Sequence, residues 1–115
     1  MKKTTLIKRI GFAFMGIQET WNTEMNFRIQ ILLGFIGILV FAKLKANPAW
    51  WAFYILAAGS VLAAELFNTA IEKLADHVRP EMHPHIKIVK DASAGAVLLT
   101  SISALAVFLC FLAQS

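Results

Sequence analysis

The sequence predicts an all-α membrane protein: three transmembrane helices preceded by an amphipathic helix that lies in the interface. Three observations carry this. The hydrophobic fraction is 58% and the charged fraction 16%, whereas a soluble domain is about 45–50% apolar and about 25% charged. Three apolar stretches each approach the roughly 20 residues that a helix needs to cross a bilayer. Ahead of them, Leu6, Ile10, Phe14, Ile17 and Trp21 recur at helical spacing beside Lys2, Lys3, Lys8 and Arg9. A length of 115 residues suits a single domain.

The elements follow in order. Residues 1–24 are expected to form the interfacial helix. The first span is expected over 27–45. Arg28 and Gln30 stand at its start, and the long Arg28 side chain can reach back to the interface. The second span is expected over 48–76. Pro48 is a good first-turn residue, "AWW" reads as an interfacial aromatic anchor, and no charge follows until Glu65. Its last turns are expected to emerge into the cytoplasm, where residues 77–87 form a loop. The third span is expected over 88–113. It opens on "ASAGA", small residues that let helices approach closely in lipid. The early apolar stretch 10–17 is short and no small-residue cleavage site follows it, so no cleavable signal is expected.

Orientation follows from the basic residues. Lys2, Lys3, Lys8, Arg9, Arg28, Lys73, Arg79, Lys87 and Lys90 fall on one side of the predicted topology. Only Lys43 and Lys45 fall on the other, nine against two. The N-terminus and the second loop are therefore expected in the cytoplasm and the C-terminus outside. The formal charge of +4 does not suggest a nucleic-acid partner. The basic residues sit at the ends of apolar runs, facing anionic headgroups, and form no block with interleaved aromatics. Cys110 lies inside an apolar run and, as the lone cysteine, forms no intrachain disulfide.

All seven acidic residues share the cytoplasmic side: Glu19, Glu24, Glu65, Glu72, Asp76, Glu81 and Asp91. Acidic residues contribute little to topology, so this bias points to a site. It is densest in "AELFNTAIEKLAD". At about 100° per residue, Glu65, Asn68, Glu72 and Asp76 fall within roughly 60° of one another, on a stripe about 16 Å long. Glu65 stands about 25 Å along the helix from Pro48, near the inner edge of a hydrocarbon core about 30 Å thick. A poorly hydrated carboxylate at that depth suits a general base. Glu72 and Asp76 lie nearer the cytosol, where ionised carboxylates can bind a hard cation through oxygen. The plain alternative is a polar stripe that glues helices together. Ionisable groups at membrane depth are costly and usually mark function.

Further groups stand at the same membrane face. Glu24 precedes Arg28 by one turn, and "VKDASAGA" places Lys90 beside Asp91 at the start of the third span. That pair supplies a cation for phosphate and a carboxylate for the helix dipole or a metal. His83 and His85 flank Pro84 in a loop without thiolate or HExxH context, a poor zinc pattern. Gly11 and Gly16 have the glycine spacing of a P-loop, but Ile17 and Gln18 follow in place of Lys and Ser/Thr. Any nucleotide would be held by carboxylate–metal contacts and lysine.

"AELFNTAIEKLAD" followed by "HPHIKIVKDASAGAVLL", together with "NFRIQ" after Glu24 and "GFAFMG", resembles the small integral-membrane bacterial diacylglycerol kinases and undecaprenol kinases. The resemblance covers nearly the whole chain. It implies a homotrimer in the bacterial cytoplasmic membrane, with sites shared between subunits, that transfers the γ-phosphate of ATP with Mg2+ to a membrane lipid alcohol. By matching positions, Glu65 looks like the base. Glu24 and Glu72 look like the magnesium ligands. Asn68, Asp76, Lys90 and Asp91 look like nucleotide or phosphate contacts, with Glu81, Met82 and His83 as the loop touching the nucleotide. Arg9, Phe12, Gly16, Trp21, Phe27 and Arg28 fall where the family meets nucleotide or lipid: Phe12 on the nucleotide side, the other five on the lipid side with Glu65. Phe12 and Met82 stand where the enterobacterial diacylglycerol kinases carry tyrosines, and the prolines of "PEMHPH" are closer to the undecaprenol kinases. The lipid acceptor is thus left between undecaprenol and diacylglycerol.

Two other classes compete. A small ion or proton transporter would use Glu65 as a relay and needs polar groups along the spans. Beyond Gln30 the first span has no charge up to Ala42, and the third has none from Ala92 to Ala113, which argues against it. A structural membrane subunit would leave the acidic stripe without a task.

Overall fold

A computed structural model describes residues 5–115, so the expectations placed on Lys2 and Lys3 lie outside the described residues. The described chain is helical throughout: α1 (Leu6–Thr23), α2 (Met25–Lys43), α3 (Pro48–Val78) and α4 (Pro84–Gln114). The helices α2, α3 and α4 are long and apolar enough to cross a membrane.

Each boundary has a local cause. Thr5 caps α1 by accepting from the Lys8 N–H. One extended residue, Glu24, separates α1 from α2, and the Arg28 guanidinium donates back to the carbonyls of Trp21 and Asn22 at 2.7 and 3.3 Å. Arg28 thus closes the C-terminal end of α1, which carries partial negative charge. The helix α2 stops at Lys43, two residues before the expected end of the first span. There the Ala46 N–H bonds the Phe41 carbonyl and the Lys45 N–H bonds the Ala42 carbonyl. This is the Schellman pattern of a helix end, and it puts Lys45 in the left-handed region at φ 54°. Asn47 caps α3 ahead of Pro48.

The connection after α3 is shorter than the expected 77–87. Four further residues, 84–87, belong to α4, because Pro84 takes the first helical position and the His83 ring nitrogen accepts from the His85 N–H at 3.1 Å. His83 is thereby occupied as a helix cap.

The bundle is polarised from end to end. At one end Phe41, Tyr54 and Phe111 form the buried core, with Trp50, Trp51 and Phe108 packed on it. Phe41 and Phe111 stack with ring centroids 4.1 Å apart. At the other end lie the ion pairs Lys90–Asp76, Lys87–Asp91 and Arg79–Glu81. The Tyr54 ring lies directly on Gly37, leaving no room for a Cβ, and its hydroxyl donates to the Gly34 carbonyl at 2.8 Å. Gly37→Ala is therefore expected to destabilise the α2–α3 pairing by about 1–3 kcal/mol, the usual cost of overpacking. A lower unfolding midpoint in detergent checks this.

Little of α1 packs on the bundle. Thr20 is its only buried residue among those described, and Leu6, Ile10, Phe14, Ile17 and Trp21 are all exposed.

Candidate active site

The site is assembled on α3 where it runs between α2 and α4. Glu65 is 5% exposed, although it is a carboxylate. Burying a carboxylate without partners is costly, and Glu65 has two. The Gln30 amide on α2 donates to its Oε1 at 2.9 Å, and the Asn68 amide approaches its Oε2 at 3.4 Å. The same Asn68 nitrogen lies 3.1 Å from Glu72 Oε1. Residues three and four apart meet on one helix face, so the offsets of Glu65, Asn68 and Glu72 make this chain of contacts possible. From α4, the Ser93 hydroxyl donates to Asn68 Oδ1 at 2.6 Å. Three helices thus meet at one polar cluster inside an apolar bundle.

Asp76 is separate from the cluster. Its carboxylate pairs with Lys90 of α4. Asp91 pairs with Lys87 one turn earlier, and Glu81 pairs with Arg79 at 3.2 Å. Met82 is exposed. Glu24 is half-buried in the break between α1 and α2. Among the described residues no side-chain hydrogen bond joins it to Glu65 or Glu72, and no three acidic, histidine or cysteine side chains gather closely enough to hold a metal by themselves. Phe12 and Gly16 lie on exposed positions of α1, and Arg9 lies on the same helix. Phe27 is buried at 2% exposure, a packing residue within this chain.

Two members of the cluster, Gln30 and Ser93, are not among the site residues singled out from the sequence, although both fall within stretches that carry the resemblance, "NFRIQ" and "HPHIKIVKDASAGAVLL". Gln30 has a weak sequence signal, a lone amide inside an apolar span. Ser93 has none, because it sits in a run of small residues that reads as close helix packing. Gln30 also lines an apolar groove of about 610 Å³ among α2, α3 and α4, with Gly34, Tyr54, Leu62, Ser101 and Phe108. It therefore borders both the groove and the Glu65 carboxylate. Its own Oε1 is buried without a hydrogen-bond partner.

A sequence profile of the prokaryotic diacylglycerol kinases matches residues 11–112, nearly the whole chain. The chain belongs to the prokaryotic diacylglycerol kinase family. Among curated relatives, a diacylglycerol kinase of Synechocystis is 35% identical over 93% of this chain. An undecaprenol kinase of Bacillus subtilis is 35% identical over 83% of this chain and 77% of its own length. A diacylglycerol kinase of Escherichia coli is 27% identical over 88% of this chain and 83% of its own length. The chain spans 62% of the length of the Synechocystis relative. Relatives in this prokaryotic diacylglycerol kinase family thus carry two different lipid names at similar identity.

Proposed function

We propose that the protein is a lipid kinase that transfers the γ-phosphate of ATP to the hydroxyl of a membrane lipid alcohol at the cytoplasmic interface. The observation that carries this reading is the buried Glu65 carboxylate, held by Gln30 and by an Asn68 amide shared with Glu72. Membership of the kinase family supports it. The apolar groove beside Gln30 suits an acceptor with a hydrocarbon body.

Glu65 takes the proton of the lipid hydroxyl. Both of its neighbours present N–H groups, so the carboxylate faces the reaction as an acceptor. The lipid oxygen then forms its bond to the γ-phosphorus as the bond to the ADP oxygen breaks. Phosphoryl transfer depends mainly on positioning and charge neutralisation. Lys90, with Asp76 and Asp91 around it, stands where phosphate can compete for its ammonium group. Asn68 and the segment Glu81, Met82 and His83 are assigned to the nucleotide side.

Glu72 and Glu24 are the residues assigned to magnesium. Glu72 fits this role, since its carboxylate has no basic partner among the described residues and magnesium prefers oxygen donors. Magnesium commonly takes one or two carboxylates together with substrate phosphates, so a closed cage of three acidic groups is not required. When bound, the ion would offset the negative charge of the phosphates.

In the same reading α1 lies in the interface with its apolar face in lipid, and the ends of α2, α3 and α4 that carry the ion pairs face the cytoplasm. The chain works as a homotrimer with shared sites in the bacterial inner membrane. Phe12 of α1 is assigned to the nucleotide, and Arg9, Gly16, Trp21, Phe27 and Arg28 to the lipid. Purified protein offered undecaprenol and diacylglycerol in turn with MgATP is expected to phosphorylate at least one of them. Phosphorylation of neither lipid would overturn the kinase reading, and the preferred one identifies the acceptor.

A further inference from the structure

Asn68 has one carbonyl oxygen and one nitrogen bearing two hydrogens. The nitrogen lies 3.1 Å from Glu72 Oε1 and 3.4 Å from Glu65 Oε2. Ionised carboxylates only accept hydrogen bonds. The amide must therefore turn its nitrogen toward both acids, giving one hydrogen to each. Reversing it would place Oδ1 against two negative groups. Hydrogen-bond chemistry thus decides which end of the amide is which.

The carbonyl end then faces α4, where Ser93 Oγ lies 2.6 Å from Oδ1. A hydroxyl has a single hydrogen. Two acceptors compete for it, Asn68 Oδ1 and the Lys90 carbonyl at 3.1 Å. Oδ1 has no hydrogen to offer, so the shorter contact exists only if Ser93 donates along it. Ser93 is 8% exposed, so water is a poor substitute for its hydroxyl. Asn68 is itself half-buried, so without the Ser93 hydroxyl its Oδ1 loses its one fixed donor on α4 and the amide would be released to swing.

We propose that Ser93 is a positioning residue of the phosphoryl-transfer site: its hydroxyl orients the Asn68 amide so that one nitrogen bridges Glu65 and Glu72. The role rests on the reading of those two acids as base and cation ligand. Ser93 touches neither of them, and it acts through Asn68 alone.

The test compares wild type, Ser93→Ala and Ser93→Thr as full-length protein in detergent or lipid. Ser93→Ala is expected to lower kcat up to about tenfold, the effect of losing one hydrogen bond. The KM for lipid should change little. Ser93→Thr keeps the hydroxyl and should recover most of the loss. A second readout needs no turnover. In protein labelled with 15N on asparagine, the Asn68 side-chain signal is the one lost in Asn68→Ala. Its two amide protons should stay distinct in wild type and Ser93→Thr, and should exchange faster with water and draw together in Ser93→Ala.

Unchanged kcat together with an unchanged Asn68 signal in Ser93→Ala would overturn the proposal. So would equal losses in Ser93→Ala and Ser93→Thr, including a shared failure to fold, since both would assign Ser93 to packing alone. The amide signal separates this proposal from the base assignment. If Glu65→Gln keeps turnover, the base reading falls, while the response of Asn68 to Ser93 still reports whether the hydroxyl orients it.

Discussion

Glu65→Gln is expected to lower lipid phosphorylation by about 10²–10⁴-fold, the usual contribution of a positioned general base, while MgATP binding is largely kept. The substitution is a clean one at this position. Glutamine has the shape of glutamate but cannot take a proton from an alcohol. Its new amide nitrogen would meet an N–H of Gln30 or Asn68, and one neighbour must adapt. Gln30 can, because its Oε1 is buried and has no partner. Turning the Gln30 amide over presents that oxygen to the new N–H2 group. The cluster can thus reform its contacts, and a loss of turnover would report the missing base and not a collapsed site. Radiolabelled phosphate transfer and equilibrium nucleotide binding measure the two quantities on the same preparation. Normal turnover in Glu65→Gln would remove Glu65 from the base role.

The same cluster shows how far sequence periodicity reaches. Offsets of three and four residues put Glu65, Asn68 and Glu72 on one face of α3, and their amide and carboxylate groups do meet. These are contacts within one helix, fixed by its 3.6-residue turn. Asp76 shares the stripe but turns instead to Lys90 on α4. That pairing depends on how α3 and α4 are registered against each other, which the spacing along either helix does not contain. Gln30 and Ser93 were hidden for the same reason. Each is a single polar residue on a different helix, and it acquires meaning only once the helices are packed. The three long apolar helices, by contrast, were legible from composition alone, because a bilayer sets their length and excludes charge from their middles. The helix ends were less so. The α4 start at Pro84 depends on a histidine ring acting as a cap, a role that His83 takes only in one backbone geometry.

Glu72→Ala is expected to raise the magnesium concentration needed for half-maximal rate by about tenfold or more, in line with the loss of affinity when a metal site's partners are removed. Excess magnesium should restore part of the rate, because the base and the lysine remain. This variant also takes away one of the two acceptors of the Asn68 amide, so a fall in rate alone would be ambiguous. Glu72→Gln resolves it. Its side-chain oxygen can still accept from Asn68, yet the negative charge that draws a hard cation is gone. If Glu72 serves the metal, Glu72→Gln and Glu72→Ala share the raised magnesium requirement. If Glu72 serves only to hold Asn68, Glu72→Gln behaves like wild type while Glu72→Ala loses rate at every magnesium concentration. Magnesium titrations unchanged in both variants would remove Glu72 from the metal role and leave the carboxylate as a partner of Asn68.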